Sequence, residues 1–106
     1  MPQVSAPTDI RTRIDRNEPL FLLDVRESWE TEICQIPGSI NIPMGEIPAR
    51  AAEIPTDKPV VCICHHGGRS LQVAHFLEQK GISGVENLTG GVEAWATTVD
   101  PEMARY

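Results

Sequence analysis

The chain has 106 residues, of which 41% are apolar and 23% charged, enough for one globular domain with a modest core and too little for two. A formal net charge of −6 leaves no basic surplus to displace counterions from phosphates, which argues against a nucleic-acid binder and means that any anion site must be built locally. No apolar run reaches bilayer length, and Met1-Pro2-Gln3-Val4-Ser5 has neither a basic nor a hydrophobic leader, so the expectation is a cytoplasmic protein without a membrane partner.

In chain order, Ser5 is a plausible N-cap with Pro7 in the first turn. Ile10 and Ile14 then give a helix its buried stripe until Asn17-Glu18-Pro19 stops it. Residues 20–25 form an apolar run broken only by Asp24, which reads as a buried central strand. A short helix is predicted over 27–33. Ile36-Pro37-Gly38-Ser39-Ile40-Asn41-Ile42-Pro43 reads as a turn into a short strand closed by proline. Residues 47–54 suit a further helix with Pro48 in its first turn.

Pro59 introduces the second strong strand, Val60–Ile63. A loop over 64–68 follows, then a helix over 69–80 striped by Val73, Ala74, Phe76 and Leu77, with Gly81 as its C′ residue. Val85–Leu88 is a short strand, and Thr89-Gly90-Gly91 turns into a last helix carrying Val92, Ala94 and Trp95. Strands alternating with helix-length segments define an α/β domain with a mainly parallel sheet. No repeat or linker divides it, so residues 1–106 read as a single domain with 1–4 and 100–106 as tails. The cysteines are Cys34, Cys62 and Cys64. An odd count without a secretion signal does not suggest a disulfide framework.

The chemistry is concentrated in Val60-Val61-Cys62-Ile63-Cys64-His65-His66-Gly67-Gly68-Arg69-Ser70. A buried strand delivers Cys64 to the carboxyl edge of the sheet, where open α/β folds keep their ligands. Two glycines let the backbone curl, and a helix starting near Arg69 points its unpaired N–H groups back at the sulfur. The helix terminus and Arg69 favour the thiolate, and the ring of amides suits a negatively charged adduct such as a persulfide, a phosphate or an arsenate. A cysteine alone is more often a small buried hydrophobe, and Cys62, inside the strand, is read as that. Cys62, Cys64, His65 and His66 lack the second ligand pair of a structural zinc site, so no metal is expected. His75 reads as an ordinary surface or boundary residue.

With these motifs in place, the chain resembles the rhodanese family, specifically its single-domain members. Leu22-Leu23-Asp24-Val25-Arg26-Glu27 is similar to the family's aspartate-x-arginine strand end, and residues 36–43 to its proline-glycine-asparagine segment. Cys64 to Ser70 resembles the active-site loop, and Leu88-Thr89-Gly90-Gly91-Val92-Glu93-Ala94-Trp95 the closing signature. The resemblance implies a five-stranded, mainly parallel sheet flanked by helices. It also implies a sulfurtransferase in which Cys64, as a persulfide, carries sulfur from a donor such as thiosulfate to cyanide, a thiol or an acceptor protein, without a cofactor. His65, His66, Gly67, Gly68 and Arg69 then form the loop that holds the outer sulfur. Asp24 is a supporting acceptor near the loop base, and Arg26 lies near the site mouth.

Cys34-Gln35 stands where the family often has glycine-histidine, which leaves the nucleophile intact. The tail after Val99 resembles the end of rhodanese modules fused to sulfur-trafficking proteins, which points to a protein acceptor. Two alternatives remain: a cysteine phosphatase or arsenate reductase on the same scaffold, and a non-catalytic interaction module. The phosphatases and arsenate reductases have one more residue than the His65-His66-Gly67-Gly68 stretch between cysteine and arginine, which favours sulfur over a tetrahedral oxyanion.

Overall fold

The computed structural model describes residues 2–106. Five strands, β1 (Gln3–Ser5), β2 (Phe21–Asp24), β3 (Ile40–Asn41), β4 (Val60–Ile63) and β5 (Val85–Leu88), form one sheet in the order β1-β5-β4-β2-β3. Every pairing is parallel. The helices are α1 (Pro7–Asp15), α2 (Ser28–Ile33), α3 (Ile47–Arg50), α4 (Gly68–Gln79) and α5 (Gly91–Thr98). Because β4 is covered on both faces, all four of its residues are buried. Its side chains alternate between two cores. Val60 and Cys62 join Leu23, Val73, Ala74 and Leu77 on one side, and Val61 and Ile63 join Ile10, Leu88, Val92 and Trp95 on the other.

The chain leaves β2 for one edge of the sheet and β4 for the other, so the strand order reverses between β2 and β4. Asp24 and Ile63 end these strands side by side, which is the switch point where open parallel sheets form their ligand crevice. The residues after Ile63 are therefore delivered into it.

Three local readings change. Ser5 ends β1 rather than capping α1, whose N-cap is Ala6. Its carbonyl accepts from the Thr89 N–H (2.9 Å), and its hydroxyl donates to buried Glu86 (2.6 Å), so neither group is free to cap. The strand itself lies partly in the segment read as a tail. The helix expected over 47–54 is broken into a 3₁₀ turn at Met44–Glu46, the one-turn α3, and a second 3₁₀ turn at Ala51–Glu53. Pro48 sits in the first turn of α3, and Pro55 follows directly after Ile54, so little length remains for a regular helix. No helix among the described residues is long and apolar enough to cross a membrane.

Candidate active site

Cys64 leaves β4 at the switch point with 1% of its surface exposed, and it packs in the same core cluster as Cys62, Val73 and Ala74. Its sulfur is not left to apolar contacts alone, because the Gly67 N–H donates to Sγ at 3.0 Å. Gly67 is the N-cap of α4, with φ +106°, a left-handed conformation that turns the amide under the loop. A Cβ there would lie 3.3 Å from the Gly90 nitrogen and 3.6 Å from the Leu88 oxygen. A Cβ on Gly68 would meet open space, so only the first of the two glycines is demanded by geometry.

The loop is held from outside by polar groups on β5 and α4. Asn87 donates from Nδ2 to the Gly67 carbonyl (3.1 Å), and the Ser70 hydroxyl bonds both that carbonyl and Asn87 Oδ1. The carbonyls of Cys64 and His65 accept from the N–H groups of Val92 (2.9 Å) and Glu93 (3.1 Å), in the first turn of α5. Both partners gain, since the helix satisfies orphan donors and the loop satisfies buried acceptors. Asn87 is a site-shaping residue that sequence reasoning missed, whereas Ser70 and the Gly90-Gly91 corner were read as loop and turn residues without these contacts. A visible signal was the pair Glu86-Asn87 in the middle of an otherwise apolar strand.

Arg69 lies in the first turn of α4, but its guanidinium is committed to Glu30 by two bonds of 2.7 Å. These bonds raise its pKa, and an anionic Cys64 adds a smaller favourable interaction. The sequence reading aims its charge at the sulfur; the structure uses most of it to anchor α4 to α2. Glu30 is held at about 2, first by Arg69 and against the opposing effect of burial, with further help from the Glu27 N–H and the Tyr106 hydroxyl.

A depressed carboxylate contributes stability that is complete above its unfolded pKa and lost as pH falls through the folded value. Stability should therefore decline between about pH 4.3, the ordinary glutamate value, and about pH 2. Glu30→Gln should flatten this decline and cost on the order of 2 kcal/mol at neutral pH. Urea melts across that pH range check it, and an unchanged acid limb in the variant would count against the assignment.

Asp24 and Arg26 form a buried pair at the base. Arg26 Nη2 lies 2.7 Å from Asp24 Oδ2, and Nε lies 3.0 Å from Oδ1. The remaining donors of Arg26 reach the carbonyls of Glu30 (3.3 Å) and Cys34 (2.7 Å) and the Tyr106 hydroxyl (2.9 Å). Arg26 is fully buried, not at the site mouth, because its planar fork satisfies several acceptors that no water reaches. Asn41 pins the same corner by donating to the carbonyls of Asp24 (2.9 Å) and Arg26 (2.8 Å).

Cys62 is fully buried, and burial pushes its thiol up to about 12. Cys34, half-buried at the end of α2, lies 3.7 Å from Arg26 Nη1. The imidazole of His65 stacks on His66 and on Tyr106, and burial followed by repulsion from His66 lowers its pKa. His66 itself is exposed.

Fold and loop together define a parallel α/β domain that offers a cysteine at its switch point, with a backbone amide aimed at the sulfur. Residues 6–98 match the model of the rhodanese-like domain, and the chain belongs to that family. A protein of Allochromatium vinosum named a sulfurtransferase is 42% identical over 84 residues, 79% of this chain and 78% of that one. YtwF of Bacillus subtilis is 37% identical over 93 residues, 88% of this chain and 89% of that protein. The crystal structure of a rhodanese-like domain protein from Staphylococcus aureus is 27% identical and matches with a TM-score of 0.85 over 98% of each chain. These relatives support sulfur transfer as the class of chemistry.

Proposed function

We propose that the protein is a sulfurtransferase that carries sulfane sulfur on Cys64 as a persulfide. The observation that carries this reading is the Gly67 N–H at 3.0 Å from Cys64 Sγ, at the start of a helix whose N-terminal partial charge favours an anion. In the first half-reaction the Cys64 thiolate attacks the outer sulfur of thiosulfate. A Cys64 S–S bond forms, the sulfur–sulfur bond of thiosulfate breaks, and sulfite leaves with the electron pair. In the second, a nucleophile such as cyanide or a thiolate attacks the outer sulfur, and the Cys64 thiolate departs unchanged. No outside oxidant or reductant is needed, because the sulfane sulfur keeps its oxidation level throughout.

His65, His66, Gly67, Gly68 and Arg69 form the walls of the loop in this reading, and Asp24 and Arg26 brace its base. The acceptor is a thiol or a protein bearing one. Trp29, 59% exposed and edge-on to Tyr106, offers apolar surface beside the loop on which such a protein can rest. Three free thiols suit the reducing cytoplasm.

Incubation with thiosulfate followed by peptide mapping should find one added sulfur on Cys64 and none on Cys62 or Cys34. Sulfur confined to either of the other two would overturn the assignment. The same preparation should form thiocyanate from thiosulfate and cyanide and should not hydrolyse an aryl phosphate, because the short loop leaves phosphate oxygens without well-aligned donors. Phosphatase turnover without sulfur transfer would reverse the reading.

A further inference from the structure

Beside the loop stands a column of rings. His65 lies between His66, centroids 4.0 Å apart at 23°, and Tyr106, centroids 3.9 Å apart at 15°. Both faces of the imidazole are covered. Tyr106 is itself fixed, because its hydroxyl accepts from Arg26 Nη1 and donates to Glu30 Oε1, each at 2.9 Å. Both partners are buried side chains, so the ring cannot slide without breaking two charge-assisted bonds. The segment that brings Tyr106 here is also tied down. Met103 packs against the cluster around Trp95, and Arg105 pairs with Glu93 on α5.

We propose that Tyr106 is a positioning residue for the Cys64 loop, clamping His65 and setting the spacing of the loop against α4. The inference rests on the reading of Cys64 as the sulfur carrier. Glu30 holds Arg69, in the first turn of α4, and through Tyr106 it also holds His65, next to Cys64 in the chain. One carboxylate thus references both ends of the loop that contains Gly67, whose amide bonds the sulfur. Without the ring, His65 keeps its main-chain bond to Glu93 (3.1 Å) and the stack on exposed His66, beside the bond of the Cys64 carbonyl to Val92 (2.9 Å).

The charged and titratable groups facing His65 are His66 on the loop, Glu93 on α5, Glu30 on α2, Arg26 after β2 and Tyr106 itself. Removing the ring lets water reach the imidazole and relieves part of the burial that now disfavours its charged form.

The test compares native protein with Tyr106→Phe and Tyr106→Leu, each checked for cooperative melting. Three readouts are taken: single-turnover loading of Cys64 from thiosulfate, alkylation of Cys64 by iodoacetate, and the NMR titration of His65. Tyr106→Leu should slow loading roughly tenfold at saturating thiosulfate with little change in KM, since a small misplacement of a loop costs rate more than binding. Alkylation should slow in parallel, and the His65 titration should move up toward that of a free imidazole. Tyr106→Phe keeps the stack but loses both hydroxyl bonds, so it should leave the titration near native while slowing loading about threefold.

A folded Tyr106→Leu protein with native loading, alkylation and titration overturns the proposal, and so does a Tyr106→Phe protein with native loading, since the link to Glu30 runs through the hydroxyl. If the leucine variant does not fold, Tyr106→Met retains more of the apolar contact and takes its place. Native protein that acquires no sulfur counts instead against the proposed function. The alkylation and titration then still decide the role of Tyr106.

Discussion

Cys64→Ser should abolish thiocyanate formation, lowering turnover by ~10³-fold or more, because a hydroxyl cannot accept and release sulfane sulfur. The substitution is close to isosteric, and a serine oxygen can still accept from the Gly67 N–H that now lies 3.0 Å from Sγ. The variant should therefore fold and melt close to the native temperature, which separates lost chemistry from lost structure. Cys62→Ser should behave in the opposite way. That side chain is wholly buried in the core, so a hydroxyl there costs about 1–3 kcal/mol of stability while leaving turnover per folded molecule intact. Thiocyanate assays beside urea melts distinguish the two patterns. Substantial residual turnover in Cys64→Ser would remove the persulfide mechanism.

Gly91→Ala should be the most damaging single methyl in the molecule. A Cβ at this position would lie 2.3 Å from the Cys64 carbonyl oxygen and 2.4 Å from that of His65. Neither atom can yield, because the same carbonyls are bonded to Val92 and Glu93. The residue also has φ +60°, so an alanine adds backbone strain to the clash. Together these should cost about 3–5 kcal/mol and lower Tm by roughly 15–25 °C in a domain of this size. The loop should lose its register even at temperatures where the variant stays folded.

Gly38→Ala supplies the comparison. It also has positive φ, +86°, but a Cβ there meets nothing within 4 Å, so it should cost only about 1–2 kcal/mol. Equal losses at the two positions would mean that strain rather than contact decides the effect at Gly91.

The fold was legible where apolar pattern and chain punctuation agree. The run over 20–25, the Val60–Ile63 strand, and the helices striped by Ile10 and Val73 all form, the first of them as Phe21–Asp24, because their burial follows directly from sequence spacing. The sulfur loop was legible for the same reason: a strand, two glycines and a helix start lie next to one another in the chain. What was not legible depends on residues far apart in sequence. Arg69 has its guanidinium on Glu30, 39 positions away. Asn87 reaches the Gly67 carbonyl across 20 positions, and Arg26 is buried partly by a tyrosine 80 positions on. Local pattern says that such polar groups need partners, but not which ones. Gly91 escaped for another reason. Its reading as a turn residue was correct, yet the close approach of the loop backbone is visible only once β4 and α5 are packed together.

The sheet order has a bearing on how the protein comes into being. Among the described residues β1 pairs only with β5, and the Ser5 hydroxyl meets Glu86 across 81 positions of chain. A parallel sheet built from pairings this distant has high contact order and is slow to close, since loop entropy must be overcome before contacts reward it. β5 also supplies Asn87, which props the Gly67 carbonyl, and leads directly into the α5 turn that receives the loop. A nascent chain that has emerged only as far as α4 thus holds Cys64 without its supports. On a ribosome or during refolding, the thiol should gain its loop in the same late step that seals the sheet. Reactivity of Cys64 toward iodoacetate would then serve as a clock for the last stage of folding.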